Sequence, residues 1–266
     1  MALSKNVEKL IALSAPLWAG EAEVVRTYWD SPVRDLAADL AWLRRQASKE
    51  FNGSGIGEHK NMGVFMGPLT RLQEAFPKID SGVSRKEVLG VIEMLHDEFT
   101  HYCAFADTYD AIRDDGTPPL DPHTIETWEE DQALTRLRHA HNADHGALGV
   151  RASKFTEGGY CTLFREGMRL KERSGTDKLI AECCAKIYED EFQHMLAGIL
   201  GLDEENWSDA DFEKMGELVV AQLRQRILMR NAEFSFPLSN DRIQAIYDGD
   251  IEPEPFDYKN AEKVLA

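Results

Sequence analysis

Asp97-Glu98-Phe99-Thr100-His101 and Asp190-Glu191-Phe192-Gln193-His194 repeat one pattern, Asp-Glu-Phe-x-His, at an interval of 93 residues. Glutamate and histidine three positions apart project from one face of an α-helix, so each copy can grip a metal ion from a single helix. Carboxylates can bridge two cations while imidazole supplies a neutral terminal ligand, a donor set suited to iron or manganese and open to oxygen chemistry. Helical bundles that hold two metals use two such Glu-x-x-His helices plus one glutamate from each of two others. Two more glutamates are therefore required at the same height.

Glu157 meets the requirement for one of them. It stands 16 residues before Arg173, and Glu191 stands 15 after Thr176. In a hairpin turning at Ser174-Gly175 the two rise about equally, at about 1.5 Å per residue. The other helix pair turns at Pro77 to Gly82, with Glu98 lying 14 residues after Ser84 and Glu58 lying 18 before Phe76, about one turn further than ideal. Glu58 is the expected ligand there, and His59 and Glu50 are the fallbacks. Glycines at Gly53, Gly55, Gly57 and Gly63 allow an irregular helix that absorbs the difference. A weak duplication agrees, since Thr70-Arg71-Leu72 echoes Met168-Arg169-Leu170 and aligns Glu58 within a residue of Glu157. Small residues beside both glutamates, such as Gly158-Gly159, leave room for substrate or oxygen, or else permit close helix packing.

Helical periodicity spans Val33 to Phe51, Ser84 to Arg113, Pro122 to Arg173, Thr176 to Leu200 and Ala210 to Ala232, without strand-like alternation. An all-α chain is expected. Pro77 to Gly82, Asp115-Gly116-Thr117-Pro118-Pro119 and Ser174-Gly175 punctuate it, and Asp121 before Pro122 reads as an N-cap with a first-turn proline. One helix from Pro122 to Arg173 is nearly twice as long as its neighbours, so a break is expected between Asn142 and Gly149. That leaves a core helix of about thirty residues ending at Arg173. The predicted organisation is one domain: N-terminal helices over 3–51, a core over about 57–200, a C-terminal helix over 210–232, and an irregular tail over 233–266 that wraps the bundle or mediates contacts.

On these residues the chain resembles the ferritin-like di-iron carboxylate family, in its rubrerythrin, ribonucleotide-reductase small-subunit and bacterial multicomponent monooxygenase branches, over roughly Gly57 to Leu200. The resemblance implies a ferritin-like four-helix bundle core with additional N-terminal and C-terminal helices. It also implies two iron ions, or manganese, held by Glu58, Glu98, His101, Glu157, Glu191 and His194. In that family an aspartate just before the Glu-x-x-His hydrogen-bonds the histidine of the other helix, which implies that Asp97 supports His194 and Asp190 supports His101. Such a bond fixes the tautomer and raises the basicity of the imidazole. The chain lacks a Cys-x-x-Cys pair for a rubredoxin module, and its 266 residues are long for a ferritin cage subunit, so storage is disfavoured.

His141 and His145, an i,i+4 pair with His139 and Asp144 beside it, offer a second grouping, for which surface or structural roles are expected. Phe99 and Phe192 are expected in the core, as are Tyr102, Tyr160 and Tyr188 with satisfied hydroxyls, and Cys161 as a small hydrophobe.

A formal net charge of −17 repels phosphate backbones, and no Lys/Arg stripe interleaved with aromatics offsets it, so nucleic acid is excluded as an expected partner. No run approaches transmembrane length. The apolar start Leu10-Ile11-Ala12-Leu13 follows Glu8-Lys9 and is interrupted by Pro16, a poor leader core. Cys103, Cys161, Cys183 and Cys184 show no paired spacing, which points to a reducing, cytoplasmic setting. The expected function is a non-haem di-iron, or manganese/iron, oxidoreductase that activates dioxygen to oxidise or oxygenate a small organic substrate. No catalytic side chain is required beyond the metal ligands. An external electron donor is expected, because no flavin, nicotinamide or iron–sulfur signature is present, and a homodimer is a compatible assembly. The alternative is a ferroxidase or peroxide-detoxifying protein without an organic substrate, and a third reading keeps the ligands as structural staples.

Overall fold

A computed structural model describes residues 3–52, 63–124, 127–157, 159–173 and 175–257. Among them every regular element is a helix, apart from one isolated bridge between Ile79 and Val83, so the fold is all-α. The described helices are α1 (Lys5–Trp29), α2 (Leu36–Asn52), α3 (Gly63–Ala75), α4 (Arg85–Ile112), α5 (Glu129–His145), α6 (Ala147–Thr156), α7 (Thr162–Met168), α8 (Thr176–Leu200), α9 (Asp209–Glu233) and α10 (Asn240–Tyr247). None is long and apolar enough to cross a membrane. Four of them start on serine: Ser4, Ser84, Ser208 and Ser239 accept the backbone N–H of Val7, Glu87, Asp211 and Arg242, satisfying a donor that the first turn leaves open. Contacts divide the chain into two compact units, Asp35–Thr127 and Met1–Arg34 with Trp128–Ala266.

In the unit Asp35–Thr127, α4 is the spine. α2 packs antiparallel along its C-terminal half, where Trp42 meets Phe105 edge-on at 5.9 Å, and α3 packs along its N-terminal half, where Phe65 meets Phe99 at 6.0 Å. Leu40, Leu43 and Ala47 of α2 are buried, as are Ala104, Phe105, Tyr109 and Ile112 of α4.

In the other unit, α1 lies against α9 and α7, α5 and α6 lie against α9, and α7 runs back along α8. Trp18, Val25, Phe155, Ile187, Phe192, Val219 and Ile227 are buried in its core. A charge is buried there too. Glu21, in the middle of α1, accepts hydrogen bonds from Arg226 Nε at 2.9 Å and Arg230 Nε at 3.1 Å of α9, and Arg230 also pairs with Glu233. Arg226 Nη1 donates a further bond, at 2.8 Å, to the carbonyl oxygen of Glu157.

That last bond explains where the structure departs from the expected thirty-residue helix ending at Arg173. The break expected between Asn142 and Gly149 occurs at Gly146, and α6 then approaches α5 so closely that Gly149 has no room for a side chain beside the His141 carbonyl. A second break falls between Glu157 and Cys161. Once Arg226 takes the Glu157 carbonyl, Gly159 (φ +57°) turns under the ion pair, where a Cβ would lie 3.1 Å from both Arg226 Nε and Glu21 Oε2. Cys161 follows in the left-handed region, φ +48°. Close backbone approach, rather than space for substrate, is thus the role of this glycine. The tail departs from expectation in part, because Asn240–Tyr247 is helical. Beyond it the chain does wrap its own unit: Glu254 N–H donates to the Ala15 carbonyl at 3.0 Å and Asp257 N–H to the Tyr160 hydroxyl at 3.1 Å.

Burial alone would push the Glu21 carboxyl up, but the adjacent Arg226 and Arg230 guanidinium groups outweigh it and hold the group below its ordinary value. Glu21→Ala leaves buried guanidinium groups uncompensated, and urea denaturation at neutral pH should register a loss of about 3–5 kcal/mol. A depressed carboxylate pKa contributes stability above the unfolded value of 4.5, and that stability is lost as pH falls through the folded value. The wild-type advantage over Glu21→Gln should therefore shrink below about pH 4.5; a gap independent of pH contradicts this assignment.

Candidate metal centre

The first motif copy sits at mid-length on α4, and the antiparallel register of α2 brings the last turn of that helix beside it, with Phe51 and Tyr102 ring centroids 5.0 Å apart. Glu50, Glu98 and His101 converge there: one ligand atom from each lies within 4.8 Å of the others. His101 is 1% exposed and its Nδ1 lies 3.9 Å from Glu50 Oε2. Ligand atoms around one transition-metal ion stand roughly 3–4 Å apart, given bond lengths of about 2.0–2.2 Å. Small side-chain rotations therefore suffice to close this group on a cation. Two carboxylates and a neutral imidazole also balance a divalent charge, which relieves the cost of holding them out of water.

Aromatic rings cluster between the last turn of α2, α3 and the middle of α4. Phe51 contacts Phe65 and His123 at 5.8 and 5.7 Å, and Phe99 contacts Tyr102 at 5.9 Å. Burial is the main cause that pushes the Tyr102 phenol up from its ordinary value, with nearby Cys103 and acids adding to it. Phe99, expected in the core, is 52% exposed.

Of the expected ligands on this side, Glu98 and His101 come together, and Glu50, the fallback, joins them. Glu58 and His59 lie outside the described residues. A sequence signal for Glu50 existed: Glu50-Phe51 repeats the Glu-Phe step of Glu98-Phe99 and Glu191-Phe192.

The second copy lies on α8. Glu191 Oε2 is 3.8 Å from His194 Nδ1, so the i,i+3 pair shares a face, with the side chains 22% and 61% exposed. Three contacts set the register of α6 and α7 against α8. Gly167 closes on Cys184, the Cys161 thiol lies 3.6 Å from the Glu191 carbonyl, and a Cβ on Gly198 would meet the Lys154 carbonyl at 2.9 Å. Interpolating, Glu157 comes level with His194 and Met195, about one turn beyond Glu191. It is exposed at the end of α6. Among the described residues Glu157 does not form a three-ligand group with Glu191 and His194. Asp97 lies 3.3 Å from its neighbour His96. The expected supports Asp97–His194 and Asp190–His101 each draw one residue from either unit.

His141 is engaged elsewhere. Thr156 donates to Gln222 Oε1 at 2.6 Å, which turns the Gln222 amide nitrogen toward His141 Nδ1 at 3.0 Å and assigns the ring an acceptor at that position. The structural role expected for it fits. Tyr188, buried beside Cys161, is pushed up to about 12, chiefly by burial.

No family model, curated protein or solved structure matches this chain.

The thiols test the surroundings of the second copy. Burial pushes Cys161 and Cys184 up, with the Glu191 carboxylate adding to the first, so neither forms the reactive thiolate readily. Cys103 is partly exposed and the other three are buried. A disulfide-exchange reagent at pH about 8 should label one thiol quickly and the rest only on unfolding. Rapid labelling of Cys161 contradicts the packing described.

Proposed function

We propose that this chain is an oxidoreductase of the ferritin-like di-iron carboxylate type, which holds two iron ions, or manganese in their place, and oxidises or oxygenates a small organic molecule with dioxygen. The observation that supports it best is the convergence of Glu50, Glu98 and buried His101 at one copy of a motif that recurs at Glu191 and His194. The ligands in this reading are Glu50, Glu98 and His101 at the first copy and Glu191 and His194, with Glu157, at the second; Glu58, expected from the sequence, lies outside the described residues. Asp97 and Asp190 orient the ligand histidines.

When bound, the metal pair supplies Lewis acidity and the electrons that reduce oxygen. Everything else falls to the chain. Glu50 and Glu98 neutralise the cations, and His101 presents a neutral nitrogen held by burial in one orientation. Phe51, next to Glu50 and packed against Phe65 and Tyr102, limits the access of water to that end of α2. Tyr102, its phenol raised, remains a hydroxyl near neutral pH and can donate a hydrogen bond without competing as an anionic ligand. Electrons for repeated turnover come from an external donor.

A second reading, iron or peroxide handling without an organic substrate, draws support from the exposure of Glu157 and of His194, 61% for the latter, since ion uptake requires ligands that water reaches.

Metal analysis of the purified and iron-reconstituted protein decides the central point. About two ions per chain are expected, falling by one or both in His101→Ala and in Glu191→Ala. Absence of stoichiometric metal, or full content in both variants, sinks the proposal. Oxygen uptake by the reduced protein then separates the readings: acceleration by a small apolar organic compound favours the oxidase, and acceleration only by excess ferrous iron or peroxide favours the alternative.

A further inference from the structure

The hairpin formed by α3 and α4 carries an apolar face that nothing among the described residues of its own unit covers. Phe65, Pro68, Leu72 and Ala75 of α3, and Val88, Val91, Leu95 and Glu98 of α4, are buried or half-buried. In antiparallel helices the position following each inward residue turns to the same side of the pair. Those positions are Met66, Leu69 and Phe76 on α3 and Leu89, Ile92 and Phe99 on α4, exposed by 48, 49, 55, 53, 42 and 52% respectively. Phe65 opposite Phe99 sets the register, so the six tile one surface from the turn outward: Phe76 with Leu89, Leu69 near Ile92, Met66 with Phe99. The other residues of that phase are Gln73 and His96.

We infer that this face is the surface through which two copies of the chain associate, hairpin on hairpin about a two-fold axis. Six half-exposed large side chains offer roughly 600 Å² of apolar surface, the upper end of the roughly 300–600 Å² that the largest patch on a monomer ordinarily reaches. Polar margins bring this near the ~800 Å² per partner of a stable interface. The charge distribution favours a second copy. A chain of net charge −17 repels itself, so close contact requires a surface where no carboxylate is forced out of water. None of the eight positions of this phase is acidic. A two-fold axis also makes the face its own complement, α3 of one copy lying over α4 of the other.

The assembly does not rest on the metal reading and is expected with and without chelator. Sedimentation of the full chain over about 1–50 µM should give twice the 30.1 kDa chain mass. Leu69→Glu and Ile92→Glu, each confirmed helical by circular dichroism, should weaken dimerisation by about 100-fold or more. Val33→Glu and Val150→Glu, at exposed apolar positions of the other unit, should leave it unchanged. Oxidative footprinting provides a measurement free of folding defects: Met66 should be protected at high concentration and reactive at low, while Met94, on the opposite flank of α4, stays reactive. A monomeric wild type overturns the inference, as does a dimer indifferent to both glutamates. Met66 protected in a monomer overturns it as well, because the face is then covered from within the chain.

Discussion

A carboxylate with no access to water, Glu21, is held between Arg226 and Arg230, and the course of the chain through its unit follows from the need to keep that charge paired. Burying an ion is tolerable only when its partners are fixed and their remaining donors are spent. Arg226 spends one on the Glu157 carbonyl and Arg230 spends one on Glu233. The helix that would otherwise run from α6 into α7 therefore ends, and Gly159 fills a place where any side chain would press on the ion pair. Arg138, half-buried nearby, is lowered to about 10 by burial and by Arg226, opposed by Glu157, Asp131 and Glu21. The region holds its charges at some tension, and its geometry leaves little freedom.

This constraint reaches the second motif. Because α6 stops at Glu157, that carboxylate stands at a helix end rather than within one, exposed and about one turn past the height of Glu191. Because Cys161 enters the left-handed region, its thiol lies against the Glu191 carbonyl, with Tyr188 buried nearby. A glutamate at a helix terminus has more rotameric freedom than one in mid-helix. That suits a ligand required to change its mode of binding as charge changes, but it also makes the carboxylate a weaker anchor.

Elements governed by local chemistry were legible in the sequence. α4, α8 and α9 begin and end within a residue or two of their expected limits, since capping serines, a glycine turn and apolar periodicity all act within a few positions. The break at Gly146 was legible for the same reason. The break at Glu157 was not, because its cause lies on α1 and α9, far away in the chain. Even so, Glu21 left a trace, an acid at an apolar phase of α1, matched by arginines four apart at an apolar phase of α9. Glu50 is less legible, because equal rise points to a residue nearer Phe76 on one continuous helix facing α4. In fact two helices share it, and the glutamate at the end of the first reaches the motif.

The two copies of Asp-Glu-Phe-x-His show how far a motif can specify a site. Spacing alone fixes that Glu and His share a face, and both copies obey it. Environment it leaves open: His101 is 1% exposed, whereas His194 is 61% exposed. The half-buried Glu50 and Glu98 with the buried His101 bear a desolvation penalty that a bound cation would relieve, whereas the exposed His194 bears little. In the proposed reading, metal affinity at the first copy would be coupled to the packing of α2 on α4, and at the second it would depend mainly on the ligands themselves. Identical sequence patterns can in this way give unequal halves, one bound up with folding and the other open to exchange with solvent.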